Sequence, residues 1–235
     1  MIPHARFEAK YILDHFRYYR IRNALSALCR LDRFSQASPD RCYLVRTLYF
    51  DTVDYNAYSE KLAGTYERNK IRIRSYSRNR DEALVLKAEQ KRRFGKKIVK
   101  YVSKISLDQY DRFMQRRSWG ETEDPILIDL ERIVRQKDLR PVTLVEYDRE
   151  AYTARDGSGV RISFDHDVRY SKGGDLFCFK DKLRKDLSNS VILEIKTDSD
   201  NIPWLSQLVR QHSLGAEPNS KYVNAINHTQ TGIWY

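Results

Sequence analysis

Five segments of this chain place charged residues at alternate positions, and this pattern limits the fold more than any other feature. The segments are Arg6–Lys10, Lys70–Arg74, Lys87–Lys91, Arg161–Asp165 and Glu194–Lys196. Side chains at positions i and i+2 of a β-strand share one face. Each segment therefore predicts a strand with a charged row on one face and apolar or small residues on the other. One such strand is common, because antiparallel sheets often have one wet face. Five predict a broad charged surface that is either open to water or closed around an anion.

The charge balance indicates the kind of partner. The 235 residues include 43 Lys and Arg against 32 Asp and Glu, which gives a net charge of +11. Such an excess predicts a polyanionic partner: a nucleic acid, a phosphate ligand or an anionic membrane surface. Hydrophobic residues make up 41% of the chain and charged residues 32%, so we expect a globular protein rather than a disordered one.

Other features bear on where the protein works. The apolar runs are only a handful of residues long, so no membrane-spanning helix is expected. The N-terminal residues lack the apolar core of a signal peptide. Cys29, Cys42 and Cys178 are odd in number and widely spaced, which argues against a disulfide framework and for a reducing compartment. We therefore expect a cytoplasmic protein.

Helix and strand signals alternate along the chain without a linker or an internal repeat. Helices are predicted at about residues 15–31, 55–62, 106–117, 125–136 and 206–213. Strands are predicted at about residues 4–13, 43–52, 68–77, 83–92, 142–152, 159–166 and 190–197. Hairpin-like turns join many of the strands, which favours an antiparallel sheet over alternating βαβ units. The sequence thus predicts a single α+β domain over residues 1–235.

The charged rows contain more cations than carboxylates. The cations are Lys10, Arg72, Arg74, Lys91, Arg149, Arg161 and Lys196, and the carboxylates are Glu8, Glu89, Asp165 and Glu194. Two like charges about 4 Å apart repel by roughly 4 kcal/mol at an effective dielectric constant of about 20, so such a face is unfavourable without an anion. If the sheet closes, a bound polyphosphate would relieve the repulsion, and the interspersed glutamates would hold Mg²⁺ or Mn²⁺.

The competing interpretation is ordinary surface pairing. A single Glu-x-Lys on a strand, such as Glu194 with Lys196, is more often a solvated or cross-strand ion pair than a catalytic group. The five segments together favour an anion site, because an ordinary exposed face would mix Thr, Ser and Gln with its charges. The basic run Lys91–Lys97 is interpreted as a hairpin tip with solvated charges rather than as a nucleic-acid patch.

The order and spacing of eight motifs resemble those of the VTC domain, a branch of the CYTH-like triphosphate tunnel metalloenzymes. The motifs are Arg6-x-Glu8-x-Lys10-Tyr11, Leu48-Tyr49-Phe50-Asp51-Thr52, Lys70-x-Arg72-x-Arg74-x-Tyr76, Glu89-x-Lys91 followed by Lys100, Tyr147-x-Arg149-x-Ala151-Tyr152, Val160–Asp165, Leu193–Lys196 and Ser220-Lys221-Tyr222. The resemblance implies an eight-stranded antiparallel β-barrel, the triphosphate tunnel, with helices packed outside it and a basic lumen.

The resemblance also implies a function and a set of site residues. It implies a polyphosphate polymerase that transfers the terminal phosphoryl group of ATP to a growing inorganic polyphosphate chain, with Mn²⁺ or Mg²⁺. The implied catalytic residues are Arg72, Arg74, Lys91, Arg149, Arg161 and Glu194. The implied substrate-binding residues are Lys10, Lys100, Lys196 and Lys221. Glu194 is the implied principal metal ligand, with Glu8 and Glu89 as lesser candidates.

Two alternatives stay open at this point. An inorganic triphosphatase would use the same phosphate-binding residues with water as the acceptor, and a non-catalytic module would bind polyphosphate or nucleic acid. The expected partners are ATP and inorganic polyphosphate or triphosphate. Nucleic acid is not expected, because carboxylates on a basic face are poor ligands for RNA. A neighbouring membrane protein is a candidate partner, since the sequence predicts no membrane span of its own.

Overall fold

The computed structural model of the chain describes residues 7–83, 85–95, 97–178, 183–186, 188–199 and 201–230. Arg6, which opens the first predicted motif, lies outside the described residues. The chain divides into two compact units. The first unit contains the described residues of Met1–Leu44, Tyr147–Val168 and Lys185–Ser220, and the second contains those of Val45–Glu146, Arg169–Arg184 and Lys221–Tyr235.

Within the described residues the chain forms ten strands and seven helices. The strands are β1 (Phe7–Leu13), β2 (Cys29–Leu31), β3 (Tyr43–Asp51), β4 (Glu67–Ser75), β5 (Leu86–Phe94), β6 (Lys97–Ile105), β7 (Arg140–Ala154), β8 (Arg161–Lys172), β9 (Arg184–Lys185) and β10 (Val191–Thr197). The helices are α1 (His15–Leu28), α2 (Arg33–Ala37), α3 (Asn56–Leu62), α4 (Leu107–Arg116), α5 (Pro125–Gln136), α6 (Pro203–Gln211) and α7 (Lys221–Gln230). Every pairing whose register is described is antiparallel, which confirms the predicted α+β class.

The helices are short. The longest of those described, α1, has 14 residues. Among the described helices none combines the length and apolar character needed to cross a membrane.

The first unit has a sheet whose two faces differ in polarity. Strand β10 lies between β1 and β8, and β2 pairs with β7. On one face Leu13, Phe164 and Leu193 are fully buried and pack with Ile21 and Leu25 of α1. The charged residues of the same strands alternate with these and lie on the opposite face, as the period of two requires.

Helix α1 ends earlier than predicted. The predicted helix runs to Leu31, whereas Cys29–Leu31 forms β2 and pairs with β7, Cys29 opposite Ala154. Helical periodicity continues through these residues, but the backbone groups of β7 supply hydrogen-bond partners that a sequence pattern cannot reveal. The predicted start of the helix is confirmed, since the Asp14 side chain accepts a hydrogen bond from the Arg17 amide.

The second unit contains the ladder β3–β4–β5–β6. Leu48, Ile73 and Leu86 are buried on one face and pack against residues of α4 and α5. The basic run after Lys91 completes β5, and Gly95, with a φ of 56°, makes the turn into β6. Strand β6 was not predicted, because most of its side chains are exposed or half-buried on both faces and the apolar alternation that signals a strand is therefore weak.

Two residues of α5 differ in burial, and we expect their substitution to change the stability of the protein by different amounts. We expect Leu130→Ala to lower the free energy of unfolding by about 2–5 kcal/mol, because it leaves a cavity in the core of the second unit. Leu130 is 1% exposed, whereas Ile128 on the same helix is 52% exposed. The matched variant Ile128→Ala should therefore lose less than about 1 kcal/mol. Urea unfolding monitored by circular dichroism checks both values, and equal losses would contradict the described packing.

Candidate functional site

The charged face of the first unit begins with two paired strands. Glu8 of β1 lies opposite Lys196 of β10, and Lys10 lies opposite Glu194. Residues that pair in this way share a face, so carboxylates and ammonium groups alternate on it. The two glutamates therefore occupy one diagonal of this four-residue patch and the two lysines the other.

Glu194 is the central anion of this face. It is 6% exposed, and three cations approach its carboxylate: Lys196 in close contact, the Lys10 Nζ at 3.9 Å and an Arg149 guanidinium nitrogen at 3.9 Å. Lys10 is also held by Glu8, with Nζ 3.3 Å from Oε1, and donates to the backbone carbonyl of Asn219 at 3.0 Å. Three cations therefore surround Glu194, and one of them, Lys10, is shared with Glu8.

Arg149 is fixed by a second carboxylate. Its Nε and one terminal nitrogen donate to the two oxygens of Asp165 at 2.6 and 2.8 Å. Burial lowers the pKa of the Arg149 guanidinium, but Asp165, and to a lesser extent Tyr147, raise it well above its ordinary value. Arg149 therefore stays charged. Arg161, opposite Lys196 on β8, is more exposed.

The charged face of the second unit is organised around Glu89. Arg72 lies between Tyr49 and Glu89 in one register row of β3, β4 and β5. Glu89 is 1% exposed. It accepts from the Arg72 Nε at 2.7 Å and from the Lys100 Nζ at 2.6 Å, and an Arg74 nitrogen is 3.9 Å away.

The contacts around Glu89 shift the pKa values of both Glu89 and Lys100. Burial raises the pKa of Glu89, but Arg72, Arg74 and Lys100 together hold it well below its usual range, so the carboxylate is ionised. Burial lowers the pKa of Lys100, Glu89 raises it, and Arg72 and Arg74 lower it again, with a net value of about 8. Lys100 is therefore still mostly charged at neutral pH. Lys91 lies opposite both Lys100 and Lys70.

Tyr49 belongs to the same face, although the sequence analysis gave it no role. Its hydroxyl accepts from a terminal nitrogen of Arg72 at 3.2 Å. Burial raises the pKa of this phenol, but Arg72, Arg74 and Lys221 outweigh that effect and lower it. Lys221, the first residue of α7, thus acts electrostatically on the group that contacts Arg72. The only sequence signal for Tyr49 is its place in the motif Leu48-Tyr49-Phe50-Asp51-Thr52.

Each unit therefore brings together part of the predicted set. The first unit collects Glu8, Lys10, Arg149, Arg161, Glu194 and Lys196 on one sheet face. The second collects Arg72, Arg74, Glu89, Lys91 and Lys100 on one face, with Lys221 acting on Tyr49. The individual catalytic, binding and metal-ligand roles stay predictions.

The carboxylates suit a divalent cation that is shared with a substrate. No group of three or more His, Cys, Asp or Glu side chains with the arrangement of a metal site occurs in the described part of the chain. Mg²⁺ is commonly bound by one or two carboxylates together with water and substrate phosphates, and Glu194 with Glu8 provides such a pair. Glu89 fits this role less well, since its two oxygens already accept from Arg72 and Lys100.

Comparisons with known proteins identify the family and the fold. The model of the VTC domain family matches residues 5–229. A solved structure described as a "putative adenylate cyclase" from Bacillus halodurans has a TM-score of 0.59 at 13% identity, and the match covers 95% of this chain and 96% of that one. The PH1819 protein from Pyrococcus horikoshii OT3 has a TM-score of 0.50 at 15% identity, with 95% and 99% covered. Among the curated proteins, no sequence matches significantly. At such identities the structural matches show the fold alone, and they confirm the expected fold class.

The electrostatic coupling of Glu89 and Lys100 can be measured directly. We expect Glu89→Gln to move the pKa of Lys100 from about 8 to a lower value, because the anion that favours the charged ammonium is removed. A ¹³C NMR titration of the Lys100 side chain measures this shift. The control is Glu67→Gln, which removes a more exposed carboxylate paired with Arg92 and should leave Lys100 unchanged. A pKa that stays near 8 or rises in Glu89→Gln would contradict the described contact.

Proposed function

The chain belongs to the VTC domain family, and from that premise we propose that it transfers the terminal phosphoryl group of ATP to a growing inorganic polyphosphate chain. One observation carries the proposal. In each unit a mostly buried glutamate on a strand face, Glu89 or Glu194, is surrounded by three basic side chains. In the second unit these cations outnumber the carboxylate, which suits a chain of phosphate groups.

The charge surplus favours a polyphosphate over a single anion. Arg72, Arg74 and Lys100 carry three positive charges against the one negative charge of Glu89. Strand register keeps these three residues on one face around Glu89, where their like charges repel one another. Successive phosphates of one ligand supply several negative charges at similar spacing. Arginine is well suited to this task, because its planar guanidinium grips two phosphate oxygens at once.

The proposed chemistry needs positioning and charge stabilisation. An oxygen of the terminal phosphate of the acceptor chain attacks the γ-phosphorus of ATP and forms a new P–O bond. The bond from the γ-phosphorus to the bridging oxygen breaks, and ADP leaves with the electron pair. Fixed cations such as Arg72 and Arg74 hold the phosphates in line and offset the charge that develops on their oxygens. No side-chain nucleophile takes part.

Glu194, supported by Glu8, would hold the Mn²⁺ or Mg²⁺ that further neutralises phosphate oxygens when it is bound. The neighbouring side chains fit this role. Lys10, Lys196 and Arg149 surround Glu194 and would bind the phosphate oxygens that complete the coordination. They also keep the Glu194 carboxylate ionised, because opposite charges favour the charged form.

Product analysis tests the proposal and separates it from the alternatives. Purified protein is incubated with ATP and Mn²⁺ or Mg²⁺, and the products are identified by phosphorus NMR and gel electrophoresis. Internal phosphate resonances and long chains would support polymerisation. Orthophosphate without chains would overturn it in favour of a triphosphatase. Binding of polyphosphate or oligonucleotides that weakens with salt, without metal-stimulated turnover, would overturn it in favour of a binding module.

We expect Glu194→Gln, Arg72→Ala and Arg74→Ala each to lower the rate of ATP consumption at least about 100-fold, the usual effect of removing one preorganised charge from a phosphoryl-transfer site. The control is Arg132→Ala on α5, whose side chain is 55% exposed and pairs with Asp129. It should retain full activity. Circular dichroism confirms that each variant folds. Wild-type turnover in folded Glu194→Gln would refute the metal-ligand role.

A further inference from the structure

Lys221 occupies a position that is unfavourable for a cation. It is the first residue of α7 and is only 8% exposed. The N-terminus of a helix carries a partial positive charge, so it disfavours a nearby ammonium group, and burial removes most of the water that would solvate the charge. The position of this ammonium therefore depends on how the first turn of α7 is held.

Tyr222, the residue after Lys221, makes several contacts at the start of α7. Tyr222 is 2% exposed, its ring centre lies 5.2 Å from that of Tyr49, and the Lys70 Nζ lies 4.8 Å from its ring centre. Its hydroxyl donates to the Asp51 carboxylate. Tyr222 therefore connects the start of α7 to two strands of the basic face, β3 and β4.

Asp51 is itself held rigidly. It is 1% exposed, and one oxygen accepts from the backbone amides of Thr52 and Ala57 at 2.8 and 2.9 Å. Its other oxygen accepts from the Tyr58 amide at 3.2 Å and from the Tyr222 hydroxyl. These donors hold the Asp51 carboxylate in one orientation, because turning it would break several hydrogen bonds at once.

Packing of α7 does not require this polar anchor. Ala225 and Ile226 are 0% and 2% exposed, and Tyr58 donates to Asn227 at 2.6 Å further along the helix. These contacts fix the middle of α7. The Asp51 and Tyr222 pair acts at the first turn, the part that carries Lys221.

We infer that Asp51 and Tyr222 are positioning residues that hold the Lys221 ammonium beside the basic face of the second unit, where it binds phosphate groups of the substrate. Tyr49 is the point of contact, since it touches both Tyr222 and Arg72. This inference rests on the proposed function. It adds two residues that do not touch substrate but decide where one substrate-binding lysine lies.

A double-mutant cycle tests the inference. Binding of inorganic tripolyphosphate is measured by calorimetry for the wild type, Tyr222→Phe, Lys221→Ala and the double variant. We expect each single variant to bind about 10-fold more weakly, the usual effect of losing one charged hydrogen bond, and the double variant to bind no more weakly than Lys221→Ala. Additive losses would overturn the inference, because a general loss of packing would act independently of Lys221.

A matched control removes a comparable hydroxyl elsewhere. Tyr110 of α4 is 1% exposed, packs in the apolar core of the same unit and donates to Asp175 at 2.7 Å. Tyr110→Phe should bind tripolyphosphate as the wild type does. Asp51→Asn, which keeps the shape of the side chain but removes its charge, should weaken binding in the same direction as Tyr222→Phe.

A second measurement is independent of any phosphate ligand. Acylation of Lys221 by acetic anhydride, followed by mass spectrometry, should be at least about 3-fold faster in Tyr222→Phe than in the wild type or Tyr110→Phe, because the first turn of α7 opens more often. Equal rates would overturn the positioning role. A wild type that does not bind tripolyphosphate would instead overturn the proposed function, whatever the acylation rates.

Discussion

The charged face in each unit depends on one glutamate that is almost inaccessible to water. Glu89 holds Arg72, Arg74 and Lys100 close together, although these cations repel one another. Its pKa is held low by the same neighbours, so its negative charge is permanent under ordinary conditions. The cations are therefore preorganised, and the proposed phosphate ligand would require little rearrangement of the site. Glu194 has the corresponding position in the first unit, where it is also the best candidate to bind a metal.

The opposite faces of the same strands explain how such charge is tolerated. Burial of apolar side chains under α1 in the first unit, and under α4 and α5 in the second, supplies the favourable free energy of folding. The N-termini of two of these helices are clearly marked by capping residues. Helix α4 begins with a capping box at Ser106, and α5 begins with Asp124 before Pro125. Because the helices pack against the apolar faces of the strands, the strands stay in place and the charged faces keep a fixed shape.

Two further buried glutamates have a structural role. Glu146 accepts hydrogen bonds from Arg78 and Arg169 and forms an ion pair with Arg46, whose Nε is 3.3 Å away. Glu150 accepts from groups on α1 and β7. Burial raises the pKa of Glu150, but its hydrogen-bond donors lower it to about 2. The sequence analysis identified neither residue, because a lone Glu in a strand carries no pattern. Buried carboxylates of this kind are costly unless fully paired, and each one fixes the arrangement of several elements.

The alternation of charged and apolar residues determined where the main strands lie and which face of each is charged, because a strand repeats every two residues whatever surrounds it. Local signals likewise determined where α4 and α5 begin, since Ser106 and Pro125 mark their N-termini. Only the tertiary structure decided which charges meet. Asp51 and Tyr222 are 171 residues apart in the chain, and the three cations around Glu89 come from two different strands. Such pairings depend on strand register and helix placement, which are set by the packing of the whole unit and leave no trace in a local sequence pattern.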